Sequence, residues 1–251
     1  MIDLRNVTKS YQDKCVVNNV KVQIPNQKLT AFIGPNGAGK STVLSMISRL
    51  LPNDAGEIYL DHNEVKSWKS QELAKRLSIL RQANSTNLQL TVRELVEFGR
   101  FPYTKGRLKK EDHELVDKAL SYLGLENLAE QIITSLSGGQ LQRAYIAMIL
   151  AQDTKYILLD EPLNNLDMNY AVQIMKILRN MVSELGKTIV IVLHDINFAS
   201  SYADEIIAMK NGELFVQGPT SEVIQSEVLN RLYGMDIRIC EIEGRRFCMY
   251  F

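Results

Sequence analysis

The sequence predicts an α/β protein: a parallel sheet flanked by helices, preceded by an antiparallel β-subdomain and interrupted by a helical insertion. Strand and helix patterns alternate over residues 156–216, which is how a parallel sheet with crossover helices reads. The opening residues instead alternate like strands joined by turns, with Ile2, Leu4 and Val7 followed by Val20, Val22 and Ile24. Residues 84–151 hold few β-branched runs and several helical ones, so they read as the insertion.

Each element follows from its local pattern. Pro25-Asn26 turns the chain into an apolar strand at 28–33, after which a glycine loop opens a helix from 40 to about 50. Pro52-Asn53-Asp54-Ala55-Gly56 breaks that helix, and 57–60 returns as a strand. A short helix at 70–76 and a strand at 77–80 close the first part. Helices are expected at 91–98, 110–123 and 139–151, the first opened by a capping box, Thr91-x-x-Glu94. Strands at 156–159 and 188–193 alternate with helices at 170–185 and 196–202, and strands at 206–209 and 214–216 flank the turn Lys210-Asn211-Gly212-Glu213. The tail after Gly218 reads as helical, with a capped helix at 220–224 and another at 228–233.

At 251 residues the chain has room for one large α/β domain. We read a single domain, with 1–83 and 152–251 forming the β-subdomain and core and 84–151 a helical subdomain. Lys plus Arg balance Asp plus Glu at 29 each, so there is no electrostatic footprint for DNA or RNA, and no nucleic-acid partner is expected. Cys15, Cys240 and Cys248 form no C-x-x-C pair and read as plain thiols of a reducing compartment. Met1-Ile2-Asp3-Leu4-Arg5 is not the basic start of a secretory leader, and no apolar run approaches the roughly 20 residues that span a bilayer. A cytoplasmic chain is expected, reaching a membrane only by docking on another protein.

The chemistry starts at Gly34-Pro35-Asn36-Gly37-Ala38-Gly39-Lys40-Ser41-Thr42, which fits G-x-x-x-x-G-K-[ST] between a predicted strand and a predicted helix. Glycines in such a loop let backbone N–H groups turn inward around phosphates. Lys40 adds a point charge for the β- and γ-phosphates, and Ser41 a hydroxyl for magnesium. A chance glycine loop would lack the strand–loop–helix order. The apolar strand Tyr156-Ile157-Leu158-Leu159 then delivers Asp160 and Glu161. Acids often follow strands. After a phosphate loop, however, Asp160 is placed to hold magnesium through water, and Glu161 to polarise the attacking water.

Leu136-Ser137-Gly138-Gly139-Gln140, shortly before that strand, resembles the signature of ATP-binding cassette (ABC) ATPases. A helix beginning at Ser137 would present N–H groups and a positive dipole end to a phosphate. The resemblance spans nearly the whole chain and implies an ABC ATPase fold that uses ATP and Mg2+. It further implies that Ser137, Gly138, Gly139 and Gln140 face the nucleotide held by a second copy in a head-to-tail sandwich dimer. Tyr11 matches the aromatic residue that stacks on adenine. Gln82 matches the glutamine that touches magnesium and water and senses the membrane partner. Asn164-Asn165-Leu166-Asp167 matches the dimer-contact loop, with Asn164 and Asn165 in place of the usual small residues and Asp167 retained. His194, in Leu193-His194-Asp195, matches the histidine that contacts the γ-phosphate, although a lone histidine after an apolar strand is usually structural. His62 and His113 read as surface residues and Trp68 as packing.

Leu90-Thr91-Val92-Arg93-Glu94-Leu95-Val96-Glu97-Phe98-Gly99-Arg100-Phe101-Pro102-Tyr103 resembles the docking region of bacterial importer ATPases for iron–siderophore, haem and vitamin B12, above all the catecholate and petrobactin type. That likeness implies a motor subunit working on separate transmembrane permease subunits, and indirectly with a substrate-binding lipoprotein, at the cytoplasmic face of the membrane. A plain amphipathic helix would bury Leu95, Val96 and Phe98 whatever the substrate, but does not by itself call for Gly-Arg-Phe-Pro-Tyr. Two other tasks stay open: a soluble ABC ATPase acting on nucleic acid or ribosomes, and an exporter ATPase.

Overall fold

The structure, a computed structural model, describes residues 1–81, 89–104 and 106–250. The chain begins with β1 (Ile2–Tyr11) and β2 (Lys14–Ile24), an antiparallel pair. It crosses to β3 (Leu29–Ile33), then returns through β4 (Ala55–Leu60) and β5 (Asn63–Glu64), which complete an antiparallel sheet in the order β2-β1-β4-β5. The second sheet adds β6 (Leu77–Leu80), β7 (Tyr156–Asp160), β8 (Thr188–Val192), β9 (Glu205–Lys210) and β10 (Glu213–Pro219) in the order β10-β9-β3-β8-β7-β6. All its pairings are parallel except β9–β10. Only two residues, Asn211 and Gly212, join β9 to β10, and both are left-handed. A connection that short turns the chain back on itself and cannot make a parallel pair.

The central strands are buried on both faces because two layers cover them. On one face Leu29, Ala31, Ile33, Ile157, Leu159, Ile189 and Ile191 pack with the helical insertion and the later helices. On the other, Phe32, Tyr156, Leu158, Val190 and Val192 pack against the antiparallel sheet and the helix Lys40–Ile47. The period of two along each strand assigns these sides, and complete burial of β3, β7 and β8 follows from having both. Strand C-termini therefore meet along one edge, where ligands bind in sheets of this kind.

Between β6 and β7 lie the helices Val92–Glu97, Lys110–Tyr122 and Gly138–Ala151. The expected Thr91/Glu94 capping box is formed at 3.1 and 2.8 Å. Gly99 and Arg100, read above as going beyond what burial requires, are fixed by packing. A Cβ on Gly99 would lie 2.2 Å from the Met148 carbonyl oxygen. Arg100 is buried and donates to Asp112 and to the Ala151 carbonyl, both at 2.9 Å. Phe98, which a plain amphipathic helix would bury, is 54% exposed, beside Phe101 at 58%.

The tail departs most from expectation. Helices Thr220–Val223 and Ser226–Tyr233 are present, but the first has Pro219 at its N-cap and no side-chain cap, because the Thr220 hydroxyl donates to Ala203 instead. Beyond them the chain forms an unexpected hairpin, β11 (Arg238–Ile242) and β12 (Arg245–Met249). Trp68 packs against the core beneath the antiparallel sheet, while His62 and His113 are exposed. Cys15 and Cys240 are at least partly exposed, and burial raises the Cys248 thiol to about 11. Among the described residues, no helix is long and apolar enough to cross a membrane.

Candidate functional site

The phosphate loop takes its shape from two close approaches. Gly34 leaves β3 with φ 135°, and a Cβ there would lie 2.1 Å from the Met209 carbonyl oxygen, so no other residue fits. Gly39 precedes the helix Lys40–Ile47 with φ 95° and no side-chain cap, and its Cβ would meet the Val16 carbonyl at 2.7 Å. The helix start therefore keeps its N–H groups free, with no acid in the first turn to compete for them. Lys40 is buried and donates to the carbonyls of Gly34 at 2.7 Å and Pro35 at 3.0 Å. Burial lowers its pKa, and the charges of Glu161 and Asp160 oppose that. The ammonium is thus held across the loop on neutral acceptors that a phosphate oxygen could replace.

Asp160, the last residue of β7, accepts a 2.7 Å hydrogen bond from Ser41 Oγ. Its carboxyl titrates above the usual range, chiefly through burial, with Glu161 adding repulsion and Ser41 pulling the other way. Glu161 turns out of the strand with φ 51°, a left-handed backbone that a non-glycine residue adopts at a cost of about 1–2 kcal/mol. Both its oxygens are occupied. Oε1 lies 2.6 Å from His194 Nε2, and Oε2 accepts from Asn164 Nδ2. His194 follows β8, and neighbouring Leu193 donates its N–H to Phe32 in β3.

Asn36, Gly37, Ala38, Gly39, Lys40, Ser41, Thr42, Glu161 and His194 line one cleft of about 150 Å3, with Val16, which no motif marks, as a further wall. A pocket that encloses a whole drug-sized ligand needs roughly 300–1,000 Å3, so this cleft is too small to enclose one by itself. Tyr11 sits half-exposed at the β1–β2 turn and does not line it, although Lys9 Nζ lies 5.8 Å above its ring. Gln82 lies outside the described residues.

Residues 137–140 do not line the cleft either. Ser137 caps the helix Gly138–Ala151, accepting from the Gln140 N–H at 3.3 Å while Gln140 Oε1 accepts from the Ser137 N–H at 2.9 Å. Gly139 packs on Tyr170, where a Cβ would come within 2.4 Å of the ring. Ser137 and Gly138 are exposed, and neither lines the protein's own cleft. Asp167 caps the helix Met168–Ser183, accepting from the Tyr170 N–H at 3.0 Å. Asn165 is left-handed, a conformation asparagine tolerates.

Tyr233 joins the loop from 199 residues away, its hydroxyl accepting the Gly34 N–H at 3.1 Å. No local pattern marks a contact of that separation.

Residues 17–164 match the family described as ABC transporter. The chain belongs to that family. This ABC ATPase is 55% identical, over the full length of both chains, to the petrobactin import ATP-binding protein YclP of Bacillus subtilis (strain 168). It is 41% identical to the ferric enterobactin transport ATP-binding protein FepC of Escherichia coli (strain K12), covering 94% of this chain and 88% of that one. Among solved structures it resembles a dimeric, post-hydrolysis ATP-binding cassette bound to ADP and Pi, with a TM-score of 0.77 and 34% identity, covering 88% of this chain and 99% of that one. The protein is therefore a nucleotide-binding ABC ATPase.

Proposed function

We propose that this ABC ATPase hydrolyses ATP to drive import of an iron–siderophore complex, of the petrobactin or catecholate type, through separate permease subunits at the cytoplasmic face of a bacterial membrane. The observation that carries the reading is the cleft, where the phosphate loop, Asp160, Glu161 and His194 meet. The petrobactin and enterobactin names of the similar proteins supply the substrate class. A substrate-binding lipoprotein would serve the permease without touching this chain.

The chemistry follows from the side chains. N–H groups of residues 37–42 cradle the phosphates, and Lys40 moves from its loop carbonyls to the transferring group. Glu161 takes the proton of the attacking water, held in line by its contact with His194. Asp160 and Ser41, with Gln82, would hold Mg2+, a hard cation that takes oxygen donors. Their fit rests on a carboxylate and a hydroxyl already 2.7 Å apart beside the loop. Bound there, Mg2+ supplies charge neutralisation on the phosphates.

Two copies meet head to tail in this reading, each cleft closed by residues 137–139 and Asp167 of the other copy, with Tyr11 against the adenine. The small cleft and the exposed signature helix start support it, as does the dimeric form of the similar cassette. The helical subdomain, residues 84–151, docks the permease. Exposed Phe98 and Phe101, beside a groove with Glu94 and Glu97, support that placement. The zero net charge supports the absence of a nucleic-acid partner.

Deleting the gene should abolish uptake of iron-55 petrobactin or enterobactin, and the wild-type gene but not Glu161→Gln should restore it. Undiminished uptake of both chelates in the deletion strain would refute the substrate class.

A further inference from the structure

The unexpected tail touches both sides of the cleft. On one side, helix Ser226–Tyr233 ends with the Tyr233 hydroxyl accepting the Gly34 N–H, while the Gly34 carbonyl accepts from Lys40. The two peptide groups flanking Gly34 are therefore both held, one by the tail and one by the lysine. Lys210 Nζ also donates to the Arg231 carbonyl, tying the same helix to the end of β9, against which Gly34 is packed.

On the other side, hairpin strand β12 lies along helix Ile196–Tyr202, which starts two residues after His194. Asn197 brackets Cys248 as a backbone would, its Oδ1 accepting the Cys248 N–H at 2.7 Å and its Nδ2 donating to the Cys248 carbonyl at 3.2 Å. Ser200 Oγ donates to the Arg246 carbonyl at 2.6 Å. The two halves of the tail are joined in turn, since Asn230 Oδ1 accepts the Ile237 N–H at 2.6 Å. Hydrogen-bonded contacts thus lead from the phosphate loop through the tail to the helix that starts two residues after His194.

We propose that residues 226–249 form a clamp that sets the separation between the phosphate loop and His194, with Tyr233 and Asn197 as its positioning residues. Neither touches the reacting atoms. Tyr233 fixes where the loop starts, and hence where the phosphates sit. Asn197 fixes the helix start, and hence the reach of His194 toward Glu161. The clamp rests on the reading of the cleft as the nucleotide site.

The two ends make separable predictions, read by fluorescent-ATP binding and steady-state hydrolysis on the full-length protein. Tyr233→Phe leaves the Gly34 N–H without its acceptor and should raise Kd and KM about 5–10-fold, with kcat within about twofold, the size of one lost hydrogen bond. Asn197→Ala should lower kcat by about the same factor and leave Kd unchanged. Ser200→Ala, a milder cut in the same contact, should show a smaller kcat loss and serves if Asn197→Ala does not fold. A merely structural tail would lower Tm in these variants and leave Kd, KM and kcat at wild-type values, which overturns the clamp. Lys40→Ala run in parallel separates the two readings. Unchanged nucleotide affinity there overturns the cleft assignment, whereas a loss there with none in Tyr233→Phe overturns the clamp alone.

Discussion

The phosphate loop and the signature helix are both helix N-termini suited to phosphate, yet the fold treats them differently. The loop start is enclosed: Gly34 and Gly39 are pressed against Met209 and Val16, Lys40 is buried, and Glu161 and His194 face it across a cleft. The signature helix is capped by its own Ser137 and Gln140, packed on Tyr170 through Gly139, and exposed at Ser137 and Gly138. One region sits in a cleft with charged side chains facing it, while the other, among the described residues, lines no such cleft. A helix dipole alone does not make a site, and the proposed role of the second helix start is to serve the nucleotide of another copy.

Breaking the cleft should have the largest effect. Glu161→Gln keeps the shape and the contact with Asn164 but removes the base, so hydrolysis should fall by about 10²–10⁴-fold while ATP still binds; single-turnover phosphate release measures it. Ser137→Asp tests the other region with its cap preserved, since aspartate caps as well as serine. It places a carboxylate where the partner's phosphate should lie, so hydrolysis should drop at least about 10²-fold while Tm and the nucleotide affinity of the lone chain stay put. Wild-type turnover in Ser137→Asp would break the comparison.

Two smaller effects sharpen it. Gly139→Ala drives a methyl into the Tyr170 ring and should cost about 1–3 kcal/mol, readable as a lower Tm, without changing the affinity of the lone chain for ATP. Asp160→Asn should move stability the other way. Burial raises the Asp160 pKa above its unfolded value, so the folded state binds the proton more tightly than the unfolded one does. Stability then falls as pH rises through that window, and above it the charged carboxylate destabilises the nucleotide-free fold. Asparagine removes the charge, keeps an acceptor for Ser41, and should raise Tm near neutral pH by up to a few degrees, about 1 kcal/mol, while hydrolysis is lost.

What the sequence made legible was what is encoded locally. The phosphate loop could be read because its glycines, lysine and serine are consecutive and its flanking elements follow ordinary periodicities. The same holds for the Thr91 and Ser137 helix starts and for the Asp160-Glu161 strand end. Local reading went astray where a distant neighbour decides the environment. Arg100 is buried because Asp112 and the Ala151 carbonyl receive it, contacts that no local pattern marks. The hairpin at 238–249 escaped because Glu243-Gly244, both left-handed, make its turn without the usual Asn or Asp, and charges at Glu241, Arg245 and Arg246 mask the alternation. Tyr233 could not be found at all without the fold, since its partner is the phosphate loop at the far end of the chain.

In the proposed mechanism each hydrolysis site is shared by two copies. The most direct test is the hydrolysis rate per chain across a dilution series that carries the protein from dimer to monomer, followed by light scattering at saturating ATP and magnesium. A shared site predicts a rate per chain that rises with protein concentration and vanishes as the monomer takes over. A rate per chain that stays constant through the same transition would contradict it.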